Sequence, residues 1–145
     1  MEIYTIGFTK KNAAEFFGVL RGAGIRRLID VRLSNTSQLA GFAKRDDLQY
    51  FLRELCGAEY HHEPALTPTK ELLDAYKKKL ISWEEYESRF VDVLIERTTE
   101  KAVDRRLFEV PAVLLCSEPS PKRCHRRLAA EYLAAKWGGV EIVHL

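Results

Sequence analysis

The sequence predicts an α/β fold, a single domain over residues 1–145 built on a mainly parallel sheet of about five strands. Three observations lead there. Short aliphatic runs alternate along the whole chain with longer stretches whose apolar residues recur at three- and four-residue spacing. The order reads β-α-β-α-β-α-α-β-α-β, which suits parallel strands joined by right-handed helical crossovers. A chain of 145 residues, 46% hydrophobic and 30% charged, can fill one core and hardly two.

Ile3 to Ile6 is a strand ended by Gly7, and Thr9 then offers a helix N-cap before Ala13, Phe16, Phe17 and Leu20 at helical spacing. The helix should stop in Arg21-Gly22-Ala23-Gly24, where glycine accepts the left-handed conformation of a helix end, and Leu28 to Val31 follows as a buried strand. Residues 32–45 have no period and the small polar residues of a loop. Leu48, Phe51, Leu52 and Leu55 mark a second helix closed by Gly57, and Ala58 to His62 reads as a third strand.

Thr67-Pro68 supplies a cap and a first-turn proline for another helix. Ser82 and Glu85 form a capping box opening a helix whose stripe holds Tyr86, Phe90, Val93 and Leu94 and which extends to about residue 102. Ala112 to Cys116 is a continuous apolar run, with Pro111 before it where a strand begins, and it predicts a central strand. Ser120-Pro121 repeats the cap-plus-proline signal, predicting helix from Lys122 to Lys136. Gly138-Gly139 then turns the chain into a last strand, Val140 to Leu145.

Composition narrows the function classes. With 23 Lys+Arg against 21 Asp+Glu the net charge is +2, too small for bulk electrostatics to imply nucleic-acid binding, so any basic site is local. No stretch approaches the ~20 apolar residues of a membrane span, and MEIYTIGFTK lacks the order of a signal peptide, so the expected setting is cytoplasmic, without a membrane partner. The 3 cysteines, Cys56, Cys116 and Cys124, lack the density of a disulfide scaffold and suit a reducing compartment.

Parallel sheets bind ligands outside the carboxyl ends of their strands. The residues just after each predicted strand are Gly7-Phe8, Asp30-Val31-Arg32, Tyr60-His61-His62 and Cys116-Ser117-Glu118, an unusual share of reactive groups. The last helix adds Cys124, His125 and Arg126 near its start, where free N–H groups and the macrodipole favour anions and thiolates; Lys122, Arg123 and Arg127 add local charge. Cys116 and Cys124 therefore fit three uses: a nucleophilic or redox thiol, a disulfide, or zinc ligation with His125 and His62. Zinc meets an objection, since neighbours on a helix such as Cys124 and His125 diverge by about 100°. The plain alternative, small buried hydrophobes, fits Cys56 best.

Asp30 and Arg32 read equally as an ion pair bracing a strand end and as ligand-binding groups. His61 and His62 point to opposite sides if the strand holds, so at most one faces a site. Lys77-Lys78-Lys79 reads as a solvated face, and His144 as an exposed residue near the last strand's end. Tyr76 and Trp83 either pack on the sheet or mediate a homodimer.

Together, Ile3-Tyr4-Thr5-Ile6-Gly7, Leu28-Ile29-Asp30-Val31-Arg32, Tyr60-x-His62-x-Pro64-x-Leu66 and above all Cys116-x-Glu118-x-x-Pro121-x-x-Cys124-His125-Arg126 resemble the domain-of-unknown-function 488 family, over nearly the whole chain. The resemblance implies a Rossmann-like three-layer domain with these motifs at one end, it selects His62 over His61, and it implies no activity. Two positions depart from it: Phe8 stands where the family commonly has His, and Leu33 to Ser37 replaces a proline-serine segment. The strand Leu28 to Arg32 also looks like one in rhodanese domains, without their compact cysteine loop.

The expectation is an enzyme with a thiol/His/Arg site for an anionic, phosphate-bearing substrate, a nucleotide or nucleic-acid end being one candidate. Cys116, Glu118, Cys124 and His125 are the catalytic candidates and Asp30, Arg32, Tyr60, His62 and Arg126 the substrate-binding ones. No metal ligand is assigned, and the cofactor is open, zinc being one candidate. The competing readings are a non-catalytic nucleotide or nucleic-acid binding module and a zinc-binding protein.

Overall fold

The structure, a computed structural model, describes residues 1–36, 41–118 and 120–145. Five parallel strands form one sheet in the order β3-β2-β4-β1-β5. They are β1 Glu2–Gly7, β2 Arg27–Asp30, β3 Glu59–His62, β4 Ala112–Cys116 and β5 Glu141–His144. The helices are α1 Ala13–Gly22, α2 Arg45–Phe51, α3 Lys70–Lys77, α4 Trp83–Glu96, α5 Thr99–Ala102 and α6 His125–Trp137. The predicted α/β class and parallel sheet are therefore present, in a Rossmann-like three-layer arrangement.

Side chains alternate across each strand, and the alternation separates two cores. Leu28, Val113 and Leu115 pack with Phe16, Phe17 and Leu20 of α1 and Leu48 of α2. Ile29, Leu114 and Cys116 pack on the other face with Phe90 and Leu94 of α4 and Leu128 and Leu133 of α6. Cys116 thus belongs to the α4/α6 face because it is in phase with Ala112 and Leu114. Asp30, in phase with Leu28, belongs to the α1/α2 face.

The strand order places the site. β1 and β4 are neighbours, paired Gly7 to Cys116 at their carboxyl ends, yet α1 leaves over one face and α6 over the other. Such a switch point opens a crevice between the strand tips. Gly7 is required there: a Cβ on it would lie 1.6 Å from the Glu118 carbonyl oxygen, so only glycine lets the segment after β4 cross the end of β1.

Helix starts differ from the predicted ones where a later polar side chain caps better. Asn12, not Thr9, caps α1, in a reciprocal pair with Glu15. Thr69, not Thr67, caps α3, leaving Pro68 ahead of the helix. Ser82 does cap α4, but the Glu85 carboxylate pairs forward with Arg89, 2.6 Å away. That helix ends at Glu96, and Thr98 in the left-handed region (φ 51°) separates it from α5. Ser120 accepts a bond from the Lys122 amide in a local turn, and α6 begins only at His125. Residues 41–43 make a short 3₁₀ turn inside the predicted loop, whose residues 37–40 lie outside the described residues.

Candidate functional site

The late start of α6 decides the site. Cys124 becomes the N-cap, with extended backbone (φ −139°, ψ 136°), instead of a residue inside a helical turn. The ~100° divergence expected of helical neighbours therefore does not apply. One ligand atom each from Cys116, Cys124 and His125 all lie within 4.8 Å of one another, and all three residues are buried. Strand phase brings Cys116 to this face; the extended cap turns Cys124 and His125 back toward it.

His125 is held in one tautomer. Its Nε2 lies 2.7 Å from the Val31 carbonyl oxygen, which can only accept, so Nε2 carries the proton and Nδ1 has the lone pair. Nδ1 is 3.5 Å from Cys116 Sγ. The Phe90 ring packs edge-on against the imidazole at 5.5 Å between centroids.

The two thiols differ. The Cys116 thiol is held below its ordinary value first by the hydrogen bond that Cys124 donates to it, then by the Ser117 backbone N–H, the Arg126 charge and the Glu118 N–H, against the opposing effect of burial. Cys124 is driven up, first by donating that bond and then by burial. Cys116 is the more readily ionised of the two sulfurs. Tyr86, missed as a site residue because its spacing reads as core, sits close enough for both sulfurs to raise its phenol, after burial, the largest cause.

Arg126 is wholly buried. Its Nη1 donates to the Glu118 carbonyl oxygen and contacts Cys124 Sγ at 3.7 Å, while Nε and Nη2 have no partner among the described residues. Its charge lowers the pKa of Lys11 and of His144, in each case after burial. His144 is exposed, as expected, and is also bonded to Thr5 across the β1–β5 pair.

Above the cluster lies a cavity of about 150 Å³ with Cys116, Cys124 and His125 at its floor. Arg32 and Arg123 contribute its cationic side, and Tyr76, Trp83 and Tyr86 its aromatic wall. Trp83 stacks on Tyr86 at 5.2 Å, with Tyr76 edge-on to Trp83 at 5.5 Å. Tyr76 and Trp83 pack against the core of the α4/α6 face. Lys77, Lys78 and Lys79 are all exposed, as expected, and Lys77 also lines the cavity. Helical spacing marks the aromatic residues as buried, but nothing in the sequence says that α3 and α4 stand opposite β4.

The remaining candidates occupy the α1/α2 side or the rim. Asp30 is fully buried and takes Arg32 Nε and Nη2 at 2.9 and 2.8 Å, the Arg32 amide at 3.0 Å and the Tyr60 hydroxyl at 2.6 Å. Asn35 Nδ2 donates to that hydroxyl at 3.1 Å, and the Arg32 guanidinium lies 5.3 Å from the Phe8 ring centre. Asp30 and Tyr60 thus position Arg32. His62 bonds the Arg32 carbonyl at 3.0 Å, and His61 turns to Glu63 at 3.1 Å. The Glu118 side chain is exposed at the cavity rim. Arg126 lies beneath the loop rather than in the cavity lining, where Arg123 takes the cationic place expected of it.

The family described as domain of unknown function DUF488 matches residues 12–133, most of the chain. The chain belongs to that family. The match covers α1 through the middle of α6 and so includes every cavity residue named above. Searches of curated proteins and of solved structures found no match to this chain. No helix among the described residues is long and apolar enough to cross a membrane.

Proposed function

We propose that this DUF488 member is an enzyme acting on a small anionic, phosphate-bearing substrate, with its chemistry at the Cys116–Cys124–His125 cluster. The observation that carries the reading is the placement of that cluster at the floor of a cavity whose other polar groups include Arg32 and Arg123. Arg32 is presented rigidly, because Asp30 holds one edge of its guanidinium and Phe8 one side. Arg123 is exposed and free to close on an anion. The aromatic wall suits a flat apolar portion of the same molecule, as in a nucleotide or an aryl phosphate. Cys116, Cys124 and His125 at the floor are the groups that meet the bound anion, and Glu118 at the rim is placed to handle protons.

The test combines binding and turnover. Inorganic phosphate should raise the melting temperature of the wild type in proportion to log concentration, and Arg123→Ala should lose most of that shift. Hydrolysis of p-nitrophenyl phosphate or a nucleoside monophosphate should fall by at least about 100-fold in Cys116→Ser. A shift equal in wild type and Arg123→Ala sinks the cavity reading. Phosphate binding with no turnover by the wild type makes the protein a binding module.

A further inference from the structure

We propose that Cys116 Sγ, Cys124 Sγ and His125 Nδ1 form a three-ligand site for a zinc ion, with the fourth position open to the cavity. The inference rests on the reading of that cavity as a substrate site and specifies how the sulfurs are used there. Three independent features of the geometry carry it.

The donor set is soft and convergent. Two sulfurs and one imidazole nitrogen within 4.8 Å of one another match what tetrahedral zinc takes, at bond lengths of about 2.0–2.3 Å, after sub-ångström adjustments. The imidazole has one nitrogen left for ligation: the Val31 carbonyl takes up Nε2, and Nδ1 stands 3.5 Å from Cys116 Sγ. A histidine serving only as core packing would not need one nitrogen saved for two thiols.

Charge gives the third argument. Arg126 is a buried guanidinium whose contacts among the described residues are a carbonyl oxygen and Cys124 Sγ, with Nε and Nη2 unpartnered. A buried cation against a neutral thiol is costly. With Cys124 deprotonated as a ligand, the guanidinium faces a thiolate. Zinc with two thiolates is neutral, so an anion at the open position balances Arg126. That is also the charge the cavity's arginines select.

An ion in this place supplies a Lewis acid for an oxygen of the bound anion. Arg32 and Arg123 orient the anion, Tyr86 and Trp83 keep the floor dry, and His125 is a ligand instead of a base. Each ligating thiol gives up one proton on binding, so two protons leave per zinc taken up.

Protein purified without a metal-affinity tag or chelator should hold about one zinc per chain by elemental analysis. The apo form should take up cobalt with a thiolate-to-cobalt charge-transfer band. Cys116→Ser and Cys124→Ser should each weaken the band and lower zinc affinity by at least about 100-fold, while Cys56→Ser should leave both unchanged. The wild-type cobalt spectrum needs no variant to fold. Wild type that neither retains zinc nor develops the band overturns the site, as does zinc kept in full by the Cys116→Ser, Cys124→Ser double variant. Arg123→Ala separates this inference from the substrate reading: it should bind zinc as the wild type does while losing the phosphate-dependent shift.

Discussion

Two polar clusters stand at the same end of the sheet on opposite faces, and their hydrogen bonding differs. On the α1/α2 face, Asp30 has four donors on its two oxygens, and Tyr60 and Asn35 close the network. On the α4/α6 face, Cys116, Cys124 and His125 are held to a carbonyl and to one another, and Arg126 beneath them keeps two nitrogens without a partner among the described residues. Buried polar groups are normally satisfied, because each orphan costs about 1–3 kcal/mol. The satisfied cluster is scaffold for Arg32. The unsatisfied one is where we propose that a ligand binds.

Removing a member of the satisfied cluster should cost most. Asp30→Ala leaves the Arg32 guanidinium buried without its carboxylate and should lose about 3–5 kcal/mol in urea unfolding. A loss under about 1 kcal/mol would mean that Arg32 swings out to solvent and that the cluster is no scaffold. Chelation addresses the other face. If zinc is present at about 1,000 times its dissociation constant, stripping it should lower wild-type stability by about 4 kcal/mol and leave Cys116→Ser, Cys124→Ser unaffected.

Gly7→Ala should cost about 3 kcal/mol, because the new Cβ meets the Glu118 carbonyl carbon at 2.6 Å and the Arg126 guanidinium at 2.7 Å as well as the oxygen. It should also weaken phosphate binding, since the displaced loop leads to Arg123. A substitution that is neutral by thermal melting would show that the loop crosses elsewhere.

Tyr60→Phe should cost about 1 kcal/mol, the net value of its bond to Asp30. Burial, then the bond to Asp30, pushes the Tyr60 phenol well above its ordinary value. The folded state therefore holds that proton more tightly than the unfolded chain. The resulting stability is fully present below the unfolded value of about 10 and is lost as pH rises through the folded one. The gap between wild type and Tyr60→Phe should stay level from about pH 6 to 9 and shrink above 10; a gap that widens there reverses the sign.

The smallest effect sharpens the contrast most. Arg126→Met removes a buried cation without a carboxylate partner among the described residues and should change the stability of metal-free protein by less than about 1 kcal/mol, in either direction. A loss comparable to that of Asp30→Ala would place Arg126 among the satisfied scaffold groups.

Much of this was readable from residue order. Hydrophobic period sets strand against helix, because only one face of each element can be buried. The fully apolar run Ala112 to Cys116 foretells a strand covered on both faces, and Cys116 foretells a reactive group at its carboxyl end. The candidates Cys116, Glu118 and Arg32 come from chemistry placed at strand tips, and Cys124 and His125 from the start of the last helix. Helix starts are less legible: Ser120-Pro121 and Thr67-Pro68 are sound capping signals, but a local turn or a better-placed Thr69 wins where the chain must first reach its packing partner.

What the sequence determined by itself is the α/β alternation and the inventory of thiols, imidazoles and guanidinia at one end of the sheet, because both follow from periodicity along the chain. Tertiary structure alone decided which of them meet. The strand order put β1 beside β4 and opened the crevice, and Cys124 in an extended cap turned two diverging neighbours into convergent donors. It also pressed α3 and α4 opposite the thiols, making core-like Tyr86 and Trp83 a cavity wall. These are contacts between residues distant in the chain or hinge on a single backbone conformation, and no local pattern encodes either.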